Sequence, residues 1–357
     1  MGKVSTNGSA AARLLGWYDA NARRLAWRAA PGERQDPYRV WLSEVMLQQT
    51  TVAAVAPYYE RFLVRWPSVE ELAAAPLDEV LAAWAGLGYY ARARNLHAAA
   101  QAIARDFAGE FPTDFAQLRT LPGVGDYTAG AIAAIAFDRP AVAVDANAER
   151  VLARYFALDD PLPQAKLQLK TLALTLLPKE RPGDFAQALM DLGALLCTPK
   201  APNCTACPWH SDCRARMLGV AANLPRKAQK MERPLKRGAA FVASDSSGAV
   251  LLEKRPESGL LGGMLQPPLG PWNAEFPSAD ESIRQAPFRS AWRKRPGIVR
   301  HVFTHFALEL EVYGTRVTRR PQHPGQWLTP DAFARAALPT VMKKVLAHAG
   351  IAAGDSS

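Results

Sequence analysis

Four cysteines are the residues of this sequence whose spacing points most directly to chemistry. They lie close together, as Cys197-x6-Cys204-x2-Cys207-x5-Cys213. In a reducing compartment, clustered thiols favour metal binding over disulfides. Four thiolates suit either a tetrahedral zinc ion or a [4Fe–4S] cluster. The unequal spacing differs from the paired C-x2-C repeats that are typical of zinc ribbons.

A short glycine loop stands before a helical pattern. The run LPGVGDYTA, residues 121–129, leads into an alanine- and isoleucine-rich stretch that ends near Phe137. Glycine permits a tight turn, and bare amides at the start of a helix can approach a phosphate directly. A Gly-x-Gly pair alone is usually only a turn, so this motif depends on its context.

Two carboxyl groups could act as a proton donor and as an anion that stabilises a positively charged sugar. Asp145 stands where the N-cap of a helix over 148–155 is expected, and helix amides and the helix dipole stabilise a negative charge there. Glu44 and Gln48 share one face of a helix whose neighbouring positions are largely apolar. A carboxyl group beside apolar surface tends to keep its proton and can donate it. Capping and plain solvation are the ordinary roles of such residues.

The bulk properties suit a folded protein of two domains with a polyanionic partner. The chain has 357 residues, a formal charge of +10, 49% hydrophobic and 21% charged residues. Eight basic residues and one acid lie between 214 and 237, in a segment that is either a solvated linker or a nucleic-acid contact. We find neither a run of apolar residues long enough for a membrane span nor a secretion signal. A cytoplasmic, nucleoid-associated protein is expected.

The spacing of apolar residues changes once along the chain, from a helical to a β-like pattern. Helical spacing extends from about Arg13 to Met217, for example over residues 69–81. Short β-like runs follow at 239–243, 250–254, 298–303 and 307–313. A helix near 340–348 ends this β-rich part. The sequence therefore predicts an all-α domain over 1–217, a basic linker over 218–237, a smaller α+β domain over 238–350 and a tail over 351–357.

Several of these segments resemble one protein family. SEVMLQQT, residues 43–50, resembles the signature of the adenine DNA glycosylases, the MutY family of the endonuclease III/helix-hairpin-helix superfamily. The LPGVG loop resembles the hairpin of that superfamily, and the cysteine spacing resembles its cluster loop, which favours iron–sulfur over zinc. Further matches lie at 25–28, 86–90 and 187–193. The resemblance is dense from about 17 to 215 and thin afterwards.

The resemblance implies a fold, an activity and a partner. The fold is multidomain: an all-α helix-hairpin-helix glycosylase domain with a [4Fe–4S] cluster loop, plus a smaller C-terminal α+β Nudix-like domain. The activity is that of a base-excision-repair enzyme, which flips an adenine mispaired with 8-oxoguanine or guanine out of duplex DNA and hydrolyses its N-glycosidic bond. We expect a monomer without a membrane partner. The C-terminal part lacks an acidic R-E-x-x-E-E box, so we expect no pyrophosphate hydrolysis.

The resemblance also implies roles for single residues. Glu44 would protonate N7 of adenine, Asp145 would stabilise the sugar at C1′, and Tyr127 and Asn147 would orient the intermediate and water. The four cysteines would bind the cluster. The remaining implied contacts fall into four groups: the adenine pocket, with Trp27, Arg28, Gln48, Gln187 and Asp191; the opposite strand, with Gln49, Thr50, Leu87 and Tyr89; the backbone grip, with Gly123, Val124 and Gly125; and the reading of 8-oxoguanine, with Phe303, Thr304 and His305.

The lysine count separates two kinds of glycosylase. Relatives that also cleave the strand attack the sugar with a lysine amine. Tyr127 occupies the position that matches that lysine, and Lys3 is the only lysine before Lys166. The sequence therefore predicts a monofunctional enzyme that uses water as the final nucleophile.

Two alternative functions and three departures from the family pattern remain. The chain could be a glycosylase and lyase for damaged pyrimidines, or a non-catalytic iron–sulfur protein that binds DNA or senses redox state. Ala26 and Ala146 replace the Pro and Gly usual in the family, and Thr304 replaces a Ser. The first two could alter the fit of the pocket, whereas the third keeps a hydroxyl group.

Overall fold

The computed structural model describes residues 9–228 and 233–351. The amino-terminal residues 1–8, part of the predicted linker at 229–232 and the predicted tail from 352 onward lie outside the described residues. Contacts divide the chain into two units: residues 1–73 with 98–230, and residues 74–97 with 231–357. The domain limits expected from the sequence stay predictions.

The first half of the chain is helical, as the sequence predicts. A single short helix, α13, lies within the β-rich part, and α14 closes the described chain. The helices are α1 (Ala10–Asn21), α2 (Pro37–Leu47), α3 (Val52–Arg65), α4 (Val69–Ala74), α5 (Leu77–Ala83), α6 (Ala91–Asp106), α7 (Phe115–Thr120), α8 (Asp126–Ile135), α9 (Ala146–Phe156), α10 (Lys166–Leu176), α11 (Pro182–Leu195), α12 (Arg214–Met217), α13 (Ala279–Arg284) and α14 (Thr340–His348).

The spacing of apolar residues predicts one helix over 69–81, but the structure has a break in this segment. It forms two helices, α4 and α5, because Pro76 has no backbone N–H and keeps the preceding Ala75 out of the helical region. Pro76 stands at the N-cap of α5, with an extended backbone.

Aspartates cap the two helices at which Glu44 and Asp145 lie. Asp36 caps α2 by accepting hydrogen bonds from the amides of Tyr38 and Arg39, and Pro37 occupies the first helical position. Asp145 caps α9 by accepting a hydrogen bond from the amide of Ala148 at 2.7 Å. These caps fix the starts of the two helices from which Glu44 and Asp145 act.

Small residues let the central helices approach closely. Residues 128–135 of α8 are all buried. A side-chain carbon on Gly183 of α11 would lie 2.5 Å from the carbonyl oxygen of Ala134, and one on Gly130 would meet the Val142 carbonyl. Because backbones meet at these points, larger side chains have no room.

The second unit contains a mixed sheet. Its strands are β1 (Leu235–Ser244), β2 (Val250–Lys254), β3 (Leu265–Gln266), β4 (Arg293–Lys294), β5 (Val299–Val302), β6 (Ala307–Arg316) and β7 (Gln326–Leu328). The order is β3-β2-β1-β6-β4, with β5 on β6 and β7 on β2. The central pair, β1 and β6, is parallel, with Leu235 opposite Ala307 and Ser244 opposite Arg316. The other pairs are antiparallel.

Helix α14 closes one face of this sheet. Val341, Met342 and Val345 are fully buried against sheet residues that include Leu310 and Val312. The fold class predicted from the sequence, an all-α domain plus a smaller α+β domain, is confirmed. No helix among the described residues is both long and apolar enough to cross a membrane.

Gly183→Ala is expected to lower the free energy of unfolding by about 1–3 kcal/mol, because the added methyl group meets the backbone of α8. Urea unfolding followed by circular dichroism measures the change. Gly16→Ala in α1 is the matched control, since nothing lies within 4 Å of its added carbon. The control should be neutral or stabilising by up to about 1 kcal/mol. Equal losses in both variants would show that the close contact with α8 is not the cause.

Candidate active site

A cavity of about 960 Å³ lies in the first unit, between the helices that carry the two carboxylates. Glu44 on α2, Tyr127 on α8 and Asp145 at the start of α9 all line it. Other residues singled out from the sequence also form its wall: Trp27, Arg28, Gln48, Gln49, Thr50, Gly123, Gly125, Asn147 and Gln187. The structure therefore brings most of the expected pocket residues together.

Glu44 is a buried carboxyl group with one close hydroxyl partner. It is 7% exposed, and the Tyr127 hydroxyl donates a hydrogen bond to its Oε2 at 2.7 Å. The pKa of Glu44 is raised to about 7, chiefly by burial and also by the charge of Asp145, whereas the hydrogen bond from Tyr127 and the charge of Arg28 lower it. Near neutral pH a substantial fraction of Glu44 therefore carries a proton that it can donate.

Asp145 has a different environment, rich in donors. Its Oδ1 accepts from the Ala148 amide at 2.7 Å, and its Oδ2 accepts from the Asn147 side chain at 3.0 Å. Asn147 in turn accepts from Arg150 at 2.9 Å, and Arg150 also donates to the carbonyl of Cys197 at 2.8 Å. Hydrogen bonds thus hold the carboxylate in place and connect it to the cysteine loop.

Asp191 lies behind the cavity wall, where it holds two arginines. It is 0% exposed and accepts from Arg28 at 2.7 Å and from the Arg23 side chain at 2.6 Å and backbone at 3.0 Å. It does not itself line the cavity, although the family resemblance implied that it would. Its negative charge instead fixes the guanidinium groups that do.

Two glutamines of the cavity wall have side-chain partners. Gln187 accepts from Gln35 at 3.0 Å, and Gln48 donates to the Thr128 hydroxyl at 3.2 Å. Gln187 is 3% exposed, so its amide is oriented by the protein and not by solvent. These bonds limit the rotation of polar groups that face the cavity.

The glycine loop forms a tight turn at the start of α8. Gly123 has a φ of +73°, which favours glycine, and the Val124 amide donates to the Leu121 carbonyl at 3.1 Å. Val124 is buried, with 6% of its surface exposed. Gly125 is the N-cap of α8 and supplies no side-chain cap. The first amides of α8 therefore remain available to an anion.

All four cysteines line a second, small cavity. The buried Arg154 holds this loop: it donates to the Cys197 thiol sulfur at 3.3 Å and to the carbonyls of Thr198 and Pro199 at 2.7 and 2.9 Å. Burial raises the pKa of the Cys207 thiol to about 11. Within residues 9–228 and 233–351, no three Cys, His, Asp or Glu side chains are arranged to hold a metal ion.

The remaining predicted residues lie in the second unit. Leu87 is buried, whereas Tyr89 is 47% exposed and its hydroxyl accepts from the Thr304 hydroxyl at 3.2 Å. Thr304 and His305 are exposed at the tip of a turn closed by the Phe303 amide, which donates to the Phe306 carbonyl at 2.8 Å. The rings of Phe303 and Phe306 stack with centroids 4.7 Å apart.

Sequence reasoning missed an ion pair on the cavity wall. Lys166 and Glu149 both line the cavity, and the Lys166 ammonium lies 2.8 Å from Glu149 Oε1. Glu149 follows Asp145 by one helical turn, so its position on that face of α9 could have been deduced. Nothing in the sequence shows that Lys166 reaches the same place.

Comparisons with known proteins show which class of enzyme this chain resembles. The family model described as "HhH-GPD superfamily base excision DNA repair protein" matches residues 42–176, and that of the NUDIX domain matches residues 239–348. A solved thermostable thymine-DNA glycosylase is 30% identical with a TM-score of 0.52, over 58% of this chain and 95% of that one. The fold and the site define a DNA N-glycosylase of the helix-hairpin-helix superfamily.

Relatives that match most of this chain identify its family. The adenine DNA glycosylase of Homo sapiens is 38% identical over 93% of this chain and 72% of its own length. That of Mus musculus is 37% identical over 93% of this chain and 76% of its own length. The chain belongs to the adenine DNA glycosylase family, as the SEVMLQQT segment predicts, and acts in base excision repair.

Proposed function

We propose that this enzyme removes adenine paired with 8-oxoguanine or guanine, after flipping it out of duplex DNA into the 960 Å³ cavity. The observation that carries the proposal is the pair of carboxyl groups on one cavity: a buried Glu44 beside a hydrogen-bonded Asp145. Two carboxyl groups in unlike environments suit the two roles that glycosidic cleavage requires.

In the first step the bond between C1′ and the base breaks. The bonding electrons leave with adenine, and Glu44 donates its proton to N7, so that the base departs neutral. Positive charge develops on the sugar, and the Asp145 carboxylate stabilises it at C1′. The cap to Ala148 and the bond from Asn147 keep that carboxylate from turning away.

In the second step water adds to C1′. The water forms the new C–O bond and gives a proton to the Glu44 carboxylate, which leaves a hydroxyl group on the sugar and restores the protonated Glu44. Tyr127 and Asn147 lie beside the carboxylates that they would help to orient, and Tyr127 keeps its proton because burial raises its pKa well above the usual range. Trp27, Arg28 and Gln187 would form the adenine pocket.

We infer that the enzyme is monofunctional. Tyr127 stands at the position that matches the lysine of the lyases. Lys166 lies in the cavity wall, but its ammonium is engaged by Glu149. These two observations support water as the nucleophile.

The cysteine cavity would hold a [4Fe–4S] cluster, since endonuclease III-like proteins generally carry one. Four thiols that share a cavity can supply the four ligands of such a cluster, and their unequal spacing differs from the paired repeats of zinc ribbons. When bound, the cluster would support the loop that Arg154 holds.

Iron and acid-labile sulfide in stoichiometric amounts are expected on analysis of the purified protein. Zinc without sulfide would contradict the assignment of the cluster.

The proposal also includes contacts with the rest of the DNA duplex. Gln49, Thr50, Leu87 and Tyr89 would engage the strand opposite the adenine. Phe303, Thr304 and His305 would read 8-oxoguanine, and the tip of their turn is exposed for that contact. Gly123, Val124 and Gly125 would form the turn that brings the DNA backbone to the first amides of α8. The enzyme would act as a monomer in the cytoplasm, on nucleoid DNA.

The function is tested on a duplex with one adenine opposite 8-oxoguanine, treated with enzyme and then with or without alkali. Strand cleavage at that adenine only after alkali is expected, because a monofunctional enzyme leaves an intact abasic strand. Glu44→Gln should abolish cleavage, with a loss of about 100-fold or more, while binding to the duplex persists. Cleavage without alkali, or full activity of the variant, would contradict the proposal.

The pH dependence should follow the proton on Glu44. Its raised pKa of about 7 means that the proton needed for donation is present below that pH and lost above it. We expect kcat/KM for adenine release to fall by about tenfold per pH unit above about pH 7. Initial rates across the pH range measure this, with duplex binding as the control. A profile that stays flat above neutral pH would remove Glu44 as the acid.

A further inference from the structure

The loop before α6 carries an exposed tyrosine on a strained backbone. Tyr89 has a φ of +50°, and its neighbours Gly86 and Gly88 have φ values of +112° and +71°. A left-handed backbone is uncommon for a residue with a large side chain, and it persists only where the surroundings fix it. The Tyr89 ring is nevertheless 47% exposed, so its own burial cannot supply that restraint.

Arg92 supplies it. Its side chain extends back along the loop, and its Nη2 donates to the carbonyls of both Leu87 and Gly88 at 3.1 Å. Its backbone amide donates to the carbonyl of Tyr89 at 2.8 Å. Three consecutive carbonyls of the loop thus accept hydrogen bonds from this one residue.

The Arg92 guanidinium also lies against two rings. Its central carbon is 5.5 Å from the Tyr89 ring centroid and 5.2 Å from that of Trp84. The Trp84 indole donates to the Gly88 carbonyl at 3.1 Å. Planar contacts of this kind are attractive, and they fix the direction of the tyrosine ring as well as the path of the backbone.

A direct contact with a DNA phosphate is a less suitable role for Arg92. The residue is 9% exposed, and its terminal nitrogen faces protein carbonyls. Burial lowers its pKa to about 10, which still leaves it charged at neutral pH. The charge serves the loop and its aromatic neighbours.

We propose that Arg92 is a positioning residue, which holds Tyr89 in the orientation from which its ring enters the strand opposite the adenine. The proposal rests on the proposed function, in which Tyr89 opens that strand. Arg92 would act through Tyr89 and would itself touch neither the flipped base nor the sugar.

The test compares Arg92→Met, Arg92→Lys, Tyr89→Ala and Tyr89→Ala/Arg92→Met in the full chain. Single-turnover adenine release is measured on the 8-oxoguanine duplex. Unstacking is read from 2-aminopurine fluorescence beside the 8-oxoguanine. Arg92→Met should lower the excision rate about tenfold and abolish the fluorescence rise, and the double variant should lie within about twofold of Tyr89→Ala. Losses that multiply in the double variant would overturn the proposal.

Two further variants distinguish positioning of the loop from an effect of charge alone. Arg92→Lys keeps the charge but cannot both bridge two carbonyls and stack as a plane, so it should resemble Arg92→Met. Full recovery by lysine would overturn the proposal in favour of a simple charge effect. If Arg92→Met unfolds, which thermal melting would show, Arg92→Lys carries the test alone. Arg94→Met is the matched control, because Arg94 on the same helix donates to Gly262 and Gly259 and should leave excision within about twofold.

The two proposals can fail separately. If the wild-type enzyme releases no adenine, the proposed function fails, and the fluorescence comparison of wild type with Arg92→Met still decides whether Arg92 positions Tyr89. If the wild type is active and unstacks the duplex, but Arg92→Met does so equally well, only the inference about Arg92 fails.

Discussion

The hydrogen bond between the Asp145 carboxylate and the Ala148 amide is the interaction on which the candidate site depends most. It starts α9, and α9 carries Asn147, Arg150 and Arg154, which reach the carboxylate itself and the cysteine loop. One side chain therefore both begins a helix and faces the cavity. Structure and chemistry are not separable at this position, since a residue that could not cap the helix would also displace the groups arranged along it.

The two carboxyl groups of the site have unlike environments. Glu44 has burial and the nearby charge of Asp145, both of which favour its protonated form, against one hydroxyl donor. Asp145 has a backbone amide and a side-chain amide aimed at its two oxygens. The difference comes from neighbours, because the two side chains differ by one methylene. The two groups also interact, because the charge on Asp145 helps to keep a proton on Glu44.

Local signals predicted much of this structure, and non-local contacts account for what they missed. The β-run at 250–254 and the final helix at 340–348 match β2 and α14, because turn residues bound both segments. The N-cap role of Asp145 followed from its place before a helical pattern. By contrast, the hydrogen bond from Tyr127 to Glu44 joins distant segments, and the burial of Asp191 behind Arg28 depends on how helices pack. Such contacts have no signature in local spacing; the roles of these residues came from the family resemblance.

The uncapped start of α8 has a consequence for how such an enzyme finds its target. Amides at Gly125 and beyond offer an anion the same contacts at every base pair, because phosphates repeat along the duplex and carry no sequence information. A protein held in this way can slide and hop along DNA at low energetic cost. Its search is then governed by ionic strength, and recognition of a rare mispair is left to the steps that follow contact. If the glycine turn binds DNA as proposed, it sets the rate of the search and leaves the choice of base to other residues.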